Sequence, residues 1–88
     1  MNFDKTVKTY IGEELTKVEK YYSDGGKKNE YNYKNGKLEG KQYRYYWKHL
    51  LEHELNYKNN LLDGEQYYYD TRGKLSCVRR YIEGVIIN

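Results

Sequence analysis

The stretch Tyr33-Lys34-Asn35-Gly36-Lys37-Leu38-Glu39-Gly40-Lys41-Gln42-Tyr43 decides the fold of this chain, because it occurs twice. It returns over residues 57–67 as Tyr-Lys-Asn-Asn-Leu-Leu-Asp-Gly-Glu-Gln-Tyr, and seven of the eleven positions are identical in the two copies. The offset from Tyr33 to Tyr57 is called here the repeat period. A fixed period of about 20–50 residues is typical of repeat architectures, in which one supersecondary unit stacks on its copies. The chain is therefore interpreted as a series of such units.

Each unit predicts a β-hairpin. Asn35-Gly36 is a strong signal for a two-residue hairpin turn, and the residues before it alternate between tyrosine and polar side chains, which indicates a strand. Asn59-Asn60 replaces this turn in the second copy, and asparagine tolerates the left-handed backbone region. Gly40 and Gly64 lie inside the following strand of each copy, where a glycine indicates a bulge or a close backbone approach.

The remaining residues also read as strands. We predict strands at residues 5–11, 14–22, 27–34, 37–47, 52–58, 64–70, 74–82 and 85–87. Residues 48–53 correspond by the repeat to a turn that enters a strand, whereas their propensity alone also permits one or two helical turns; we favour a loop. The sequence thus predicts an all-β fold, a single-layer antiparallel meander of about three β-hairpin repeats.

A weaker copy precedes the two clear ones, at an offset one residue shorter than the repeat period. It aligns Tyr10 with Tyr33, Leu15 with Leu38 and Tyr22 with Tyr45, and it has Lys17 where the later copies have glycine. Terminal repeats are often atypical because they cap the array. We therefore expect one domain over residues 1–88, with a capping repeat at 10–32, repeats at 33–56 and 57–80, and a partial repeat at 81–88.

The composition limits the core and the cellular setting. Only 38% of the residues are hydrophobic, and 13 of the 88 residues are tyrosine, so half-buried aromatic rings have to supply most of the burial. The net charge of +3 permits a nucleic acid or an anionic membrane as a partner but does not indicate one. Cys77 is the only cysteine, which fits a reducing compartment. With neither a signal-peptide pattern nor a long apolar run, we expect a cytoplasmic protein without a membrane span.

The repeated unit resembles the MORN-type repeat, and in particular the bacterial variant that occurs in tandem in antitoxin-like proteins. The resemblance covers about residues 10–88, with Asn60 and Lys17 as departures from the glycine positions. It implies β-hairpins stacked into one elongated sheet with aromatic side chains layered between the units. It also implies a role in interaction or scaffolding and, for the bacterial variant, in neutralising a toxin.

Three patterns suggest chemistry, and each has a simpler interpretation. The segment His49-Leu50-Leu51-Glu52-His53 matches the H-x-x-E-H pattern of inverted zincin proteases, which requires a helix and a third ligand; we interpret both histidines as ordinary surface residues. Gly25-Gly26-Lys27-Lys28 lacks the spacing of a phosphate-binding loop and predicts a β-turn. Cys77 has no predicted base partner. We expect no metal, no cofactor and no enzymatic activity.

The candidate binding residues are aromatic or basic: Arg44, Tyr46, Trp47, Tyr68, Arg72, Arg79 and Arg80. Tyrosine, tryptophan and arginine are enriched at protein–protein hot spots. The leading hypothesis is a non-enzymatic protein-binding module, a small bacterial or phage-type inhibitor or antitoxin that sterically occludes a toxin or nuclease-like effector. The alternatives are a binder of nucleic acid or anionic lipid through the same residues and a self-associating module, a homodimer paired through the apolar edge at residues 85–87.

Overall fold

The computed structural model describes residues 4–88, which form one antiparallel sheet. Its strands are β1 (Lys5–Ile11), β2 (Glu14–Tyr21), β3 (Lys27–Lys34), β4 (Lys37–Leu38), β5 (Gly40–Tyr45), β6 (Leu51–Lys58), β7 (Leu61–Leu62), β8 (Gly64–Tyr69), β9 (Leu75–Ile82) and β10 (Val85–Ile86). The order across the sheet is β1-β2-β3-β5-β6-β8-β9-β10, with β4 beside β3 and β7 beside β6. Residues 4–88 contain no helix. The predicted all-β antiparallel meander is confirmed.

The sheet is a single layer with very little conventional core. It measures 43 × 38 × 16 Å, and Val18 is the one apolar side chain buried among the described residues. The other buried side chains in this part of the chain are polar, namely Asn29, Gln42 and Gln66. The sheet is therefore held by half-buried tyrosines and by hydrogen bonds made within its own plane. No helix that could cross a membrane occurs in residues 4–88.

Short turns line one edge of the sheet and tie each unit to the one before. The turn residues Asn35-Gly36, Asn59-Asn60 and Glu83-Gly84 all have positive φ, between 48° and 85°. Two consecutive positive φ angles define the hairpin turn that matches the twist of the flanking strands. The N–H of Asn60 donates to the carbonyl of Leu38 (3.0 Å), and the N–H of Gly84 donates to the carbonyl of Leu62 (2.7 Å).

Longer turns line the opposite edge, at residues 22–26, 46–50 and 70–74. In each one, the N–H of the first residue donates to the carbonyl of the last, at 2.7–2.8 Å. The fourth residue of each turn has a left-handed backbone; these residues are Gly25 (φ 93°), His49 (φ 66°) and Gly73 (φ 85°). Residues 48–53 thus complete a turn and enter β6 at Leu51, and the helical alternative for them is wrong.

A glutamine side chain closes each junction between the later units. β3 pairs with β4 near its end (Tyr33 opposite Leu38) and with β5 further back (Glu30 opposite Tyr43), and the chain bulges outward between these pairs. Gln42 fills the gap, because its Oε1 accepts from the N–H of Asn32 (2.5 Å) and its Nε2 donates to the carbonyl of Asn32 (3.0 Å). The side chain therefore replaces a backbone pair of the sheet. Gln66 does the same for Asn56.

The first unit needs no such glutamine, because its bulge is one residue shorter. Lys8 lies opposite Val18 and Thr9 opposite Lys17, so the backbone ladder is complete there. Val18 lies one repeat period before Gln42 and occupies the position of Gln42 and Gln66. The shorter bulge also corrects the alignment of the first copy. The shorter offset holds at the hairpin tip, where Tyr10 lies opposite Leu15, but beyond the bulge the full repeat period applies.

Two tyrosine hydrogen bonds confirm that the full repeat period applies beyond the bulge. The hydroxyl of Tyr22 donates to the carbonyl of Tyr45 (2.8 Å), and the hydroxyl of Tyr46 donates to the carbonyl of Tyr69 (2.9 Å). Tyr22 therefore corresponds to Tyr46, and its predicted alignment with Tyr45 is wrong. These bonds link the long turn of one unit to the next unit along the same edge.

Candidate functional site

The strand register sorts the side chains onto two faces, because successive residues of a strand point to opposite sides. One face, called here the arginine face, contains two neighbouring rows that run across β2, β3, β5, β6, β8 and β9. The rows are Lys20-Asn29-Arg44-His53-Tyr68-Cys77 and Val18-Tyr31-Gln42-Leu55-Gln66-Arg79, where the steps from Tyr31 to Gln42 and from Leu55 to Gln66 extend the neighbouring strand pairs by one residue. The two glutamines belong to their row by position only, since their side chains lie in the plane of the sheet. Five steps between strands at about 4.8 Å each make a row roughly 24 Å long.

Aromatic rings and cations contact each other along these rows. The guanidinium carbon of Arg79 lies 5.9 Å from the ring centre of Tyr68, and Nζ of Lys20 lies 6.0 Å from that of Tyr31. The imidazole of His53 packs edge-on against Tyr68, with 5.9 Å between ring centres. Such cation–ring contacts hold the charged groups over the tyrosines. The arginine face therefore presents rigid rings and cations side by side.

The arginine face has an excess of positive charge. Lys8 lies opposite Val18 and extends the second row onto β1, so the two rows carry four cations, with Lys20, Arg44 and Arg79. Two charged side chains lie at equivalent bulges beside the rows: Lys28 on β3, with Nζ at 3.1 Å from Oδ2 of Asp4, and Glu52 on β6, with Oε1 at 3.4 Å from Nε of Arg44. Lys8, Lys20 and Arg79 have no carboxylate within ion-pair distance among the described residues.

The opposite face, called here the ion-paired face, neutralises its own charges. Nζ of Lys27 bridges Glu19 (2.8 Å) and Glu30 (2.9 Å). The hydrogen bond from Lys27 lowers the pKa of Glu19. Burial by itself would raise the pKa of Glu30, but hydrogen bonds from Asn32 and Lys27 outweigh it, and the pKa of Glu30 is lowered. These carboxylates are held ionised.

Two more ion pairs extend this pattern along the ion-paired face. Lys41 pairs with Glu54 at 2.9 Å, and Arg80 pairs with Glu65 at 3.0 Å. The hydrogen bond from Lys41 to Glu54 raises the pKa of Lys41. Opposite charges therefore meet on this face, whereas the arginine face presents cations to the outside.

The predicted binding residues divide among three places. Arg44, Tyr68 and Arg79 come together on the arginine face. Arg80 follows Arg79 in β9 and lies on the ion-paired face, where its Nε donates to Glu65 at 3.0 Å. The other three predicted residues lie at the long turns and outside both rows; they are Tyr46, Trp47 and Arg72.

The turn around Trp47 is exposed and strained. Trp47 is 63% exposed, and Nζ of Lys48 lies 5.1 Å from its ring centre. Lys48 (φ 108°) and His49 (φ 66°) both have left-handed backbones, although the equivalent turns have glycine at the second of these positions. Such a conformation costs a residue with a side chain about 1–2 kcal/mol. The imidazole of His49 packs over Gly26, where a Cβ would collide with it.

The H-x-x-E-H pattern lacks the geometry of a zinc protease. His49 lies in a turn and His53 in β6, so no helix places the two on one side. Within residues 4–88, no group of three His, Cys, Asp or Glu side chains is close enough to hold a metal ion. Burial lowers the pKa of His53, although Glu52 acts in the opposite direction. His53 is therefore a neutral member of the arginine face at neutral pH.

Sequence reasoning missed Lys20 and Tyr31 as members of this face. At the full repeat period, Lys20, Arg44 and Tyr68 are equivalent positions of three units, and so are Tyr31, Leu55 and Arg79. The shorter offset aligned Tyr21 with Arg44, so the equivalence of Lys20 and Arg44 was not recognised. Recognising it requires knowing that the bulge of the first unit is one residue shorter.

Comparison with known proteins adds no relative: no family model, no curated protein and no solved structure matches the chain. The functional inference rests on the charge and geometry of the two faces.

Proposed function

We propose that this chain is a non-enzymatic module that binds a protein partner through its arginine face. The observation that carries the proposal is the charge distribution. Lys8, Lys20, Arg44 and Arg79 lie in the two rows of one face, and Glu52 is the one carboxylate within residues 4–88 that forms an ion pair with any of them, while the acids of the other face are ion-paired. Cations held over tyrosine rings suit an acidic protein surface, because charge complementarity steers association and fixes the register of the partners.

The dimensions and composition of the face support this role. A face of 43 × 38 Å exceeds the roughly 800 Å² per partner that a stable protein–protein interface buries. Tyr68 and Arg79 are of the residue types that dominate binding energy at such interfaces. Tyrosine also contributes contact area at a low cost in side-chain entropy, because its rotamers are few.

Within this proposal, the mode of action is inhibition by steric occlusion. The likeness of the repeat to MORN-type units of antitoxin-like proteins points to a toxin or nuclease-like effector as the partner. The carboxylates with which many nucleases hold their metal ions would suit this basic face. A flat sheet laid over such a surface would block substrate access without any chemistry of its own.

Arg79 and Arg80 provide a matched test, since they are neighbours on one strand and lie on opposite faces. The tagged chain would be used to capture partners from a lysate of its source organism, with quantitative mass spectrometry. We expect Arg79→Gln to reduce the captured partner at least tenfold and Arg80→Gln to leave it nearly unchanged. Equal retention by both variants, or equal loss, would remove the arginine face as the binding surface.

A second candidate is single-stranded nucleic acid, favoured by the pairs Lys20–Tyr31 and Arg79–Tyr68 on the same face. Bases stack on aromatic rings while cations follow the backbone phosphates. This candidate predicts that the affinity of the purified chain for a pool of random-sequence, single-stranded oligonucleotides falls steeply with salt. If no binding is detected at low salt, the candidate fails.

A further inference from the structure

The outer edge of β9 is equivalent to the edges of β3 and β6 that pair with β5 and β8. On β3, Asn29 and Glu30 pair with β5, and on β6, His53 and Glu54 pair with β8. Two residues after each glutamate, the backbone of Asn32 or Asn56 receives the glutamine side chain of the added strand. One repeat period after β6, the same positions on β9 are Cys77, Val78 and Arg80.

The first hydrogen bond beyond the hairpin turn at the edge of β9 is the same as at the filled edges of β3 and β6. The N–H of Ile87 donates to the carbonyl of Arg80 at 2.8 Å. The N–H of Glu39 donates to Asn32 (3.0 Å) and that of Asp63 to Asn56 (2.9 Å) in the filled junctions. Within residues 4–88, however, no strand follows β10, and no glutamine side chain bonds the N–H of Arg80.

The side chains of this last unit are also exposed where those of inner units are covered. Leu75 is 54% and Val78 37% exposed, whereas their equivalents, Leu51 and Glu54, are half-buried beneath the following unit. The side chains at the tip of the same unit are exposed as well: Ile82, Val85, Ile86 and Ile87. The side chain of Arg80 is hydrogen-bonded to Glu65 of β8, so it does not cover the outer backbone edge of β9.

We infer that, in the 88-residue chain, residues 75–80 form a strand-addition site that receives an antiparallel segment of the protein partner. By the register of the filled junctions, that segment places a glutamine at the backbone of Arg80 and the next residue opposite Val78. Arg80 is paired with Glu65, whereas Arg79 has no carboxylate within ion-pair distance among the described residues, so an acidic side chain in the segment complements Arg79. The inference deepens the proposed function, since it rests on a protein partner and names the kind of segment that this partner supplies.

A second copy of this chain fits the edge less well than an acidic segment. Antiparallel chain direction allows β9 to pair with β9 of another copy around a two-fold axis. That pairing would place Arg79 of both copies on one ribbon, with no carboxylate in either segment to offset the two charges. Neither segment would supply the glutamine that closes the filled junctions.

A peptide copied from the chain's own added strand tests the inference. The probe has the sequence of residues 65–70, Glu-Gln-Tyr-Tyr-Tyr-Asp, because residues 62–64 correspond to Ile86, Ile87 and Asn88, which the chain itself supplies. The control peptide carries leucine in place of Gln66. With the 88-residue chain, we expect the probe to slow amide hydrogen exchange at Val78 and Arg80 at least tenfold and to bind at least tenfold more tightly than the control by fluorescence anisotropy. A Val78→Pro variant should lose probe binding, because proline removes an outward N–H and is tolerated on an edge strand.

Three results would overturn the inference. They are unchanged exchange at Val78 and Arg80, equal binding of the two peptides, and protection of the same amides by dimerisation without peptide, which would assign the edge to a second copy. The peptide assay uses no cellular partner. Its failure is therefore distinguishable from failure of the capture experiment with Arg79→Gln, which tests the proposed function itself.

Discussion

Replacing Gln66 by leucine should remove the closure of the last inner junction. Gln66 has no exposed surface. Its Oε1 accepts from the N–H of Asn56 at 2.5 Å, and its Nε2 donates to the carbonyls of Asn56 and Gly64, both at 3.1 Å. Leucine keeps the volume and removes all three bonds. The carbonyl of Asn56 retains the N–H of Asp63 (2.9 Å), so the N–H of Asn56 bears the main loss.

The magnitude follows from the bonds that are lost. A buried donor left without a partner costs about 1–3 kcal/mol, and each ordinary hydrogen bond contributes about 1 kcal/mol. We expect Gln66→Leu to lower the free energy of unfolding by about 2–4 kcal/mol. For a domain of this size, that loss lowers the midpoint of thermal unfolding by about 10–30 °C.

Val18→Leu is the matched control, because Val18 occupies the same position in the first unit, where the backbone ladder is complete. Leucine adds one methylene to a side chain that no second layer of structure covers, so the cost in free energy of unfolding should stay at the low end of the range for overpacking, about 1–1.5 kcal/mol. Urea unfolding followed by far-UV circular dichroism measures both variants. If Gln66→Leu costs no more than Val18→Leu, the glutamine does not close the junction and the reasoning is wrong.

Two further substitutions test the ion-paired face and the strained turn. Because the folded-state pKa values of Glu19 and Glu30 are lowered, their contribution to stability is full above about pH 4.3, the unfolded value, and is lost as the pH falls through the folded values. In Lys27→Met, the midpoint of urea unfolding should fall less steeply as the pH is lowered than in the unchanged chain. If the midpoints of the two proteins fall in parallel with pH, the assignment is wrong. His49→Gly should raise the free energy of unfolding by about 0.5–1 kcal/mol, since it relieves a left-handed backbone, whereas Gly73→Ala at the equivalent position should lower it; a loss in His49→Gly would mean that the contact with Gly26 outweighs the strain.

Local patterns were sufficient to predict most of the strands and the short turns, but the strand predicted at residues 37–47 is wrong in extent, because it divides into β4 and β5 and ends at Tyr45. Asn35-Gly36 and the alternating tyrosines carry their own backbone preferences, so their structure does not depend on distant contacts. Gly40 correctly indicated a bulge. What the bulge requires, a side chain in the plane of the sheet, was not evident in Gln42, because a glutamine in a strand usually points to solvent.

The binding face was predicted only in part, for a geometric reason. Arg79 and Arg80 are adjacent on a strand, so alternation alone separates them, yet both were assigned to one patch. Tyr46 lies in a turn beyond the end of β5, where strand alternation no longer applies. The hydrogen bond from its hydroxyl to Tyr69 gives it a place in the fold that no local pattern could indicate.

Closure of the two later junctions by a glutamine side chain has a consequence for how the sheet unfolds. Every strand pairs only with neighbours close in sequence, so stability is expected to be a sum of unit and nearest-neighbour terms, as in other repeat proteins. Such a ladder unfolds first at its ends, and β9 and β10 form one end of the sheet in residues 4–88. A segment added beside β9 would act thermodynamically as one more repeat, so that ligand concentration would set how often the terminal unit is closed.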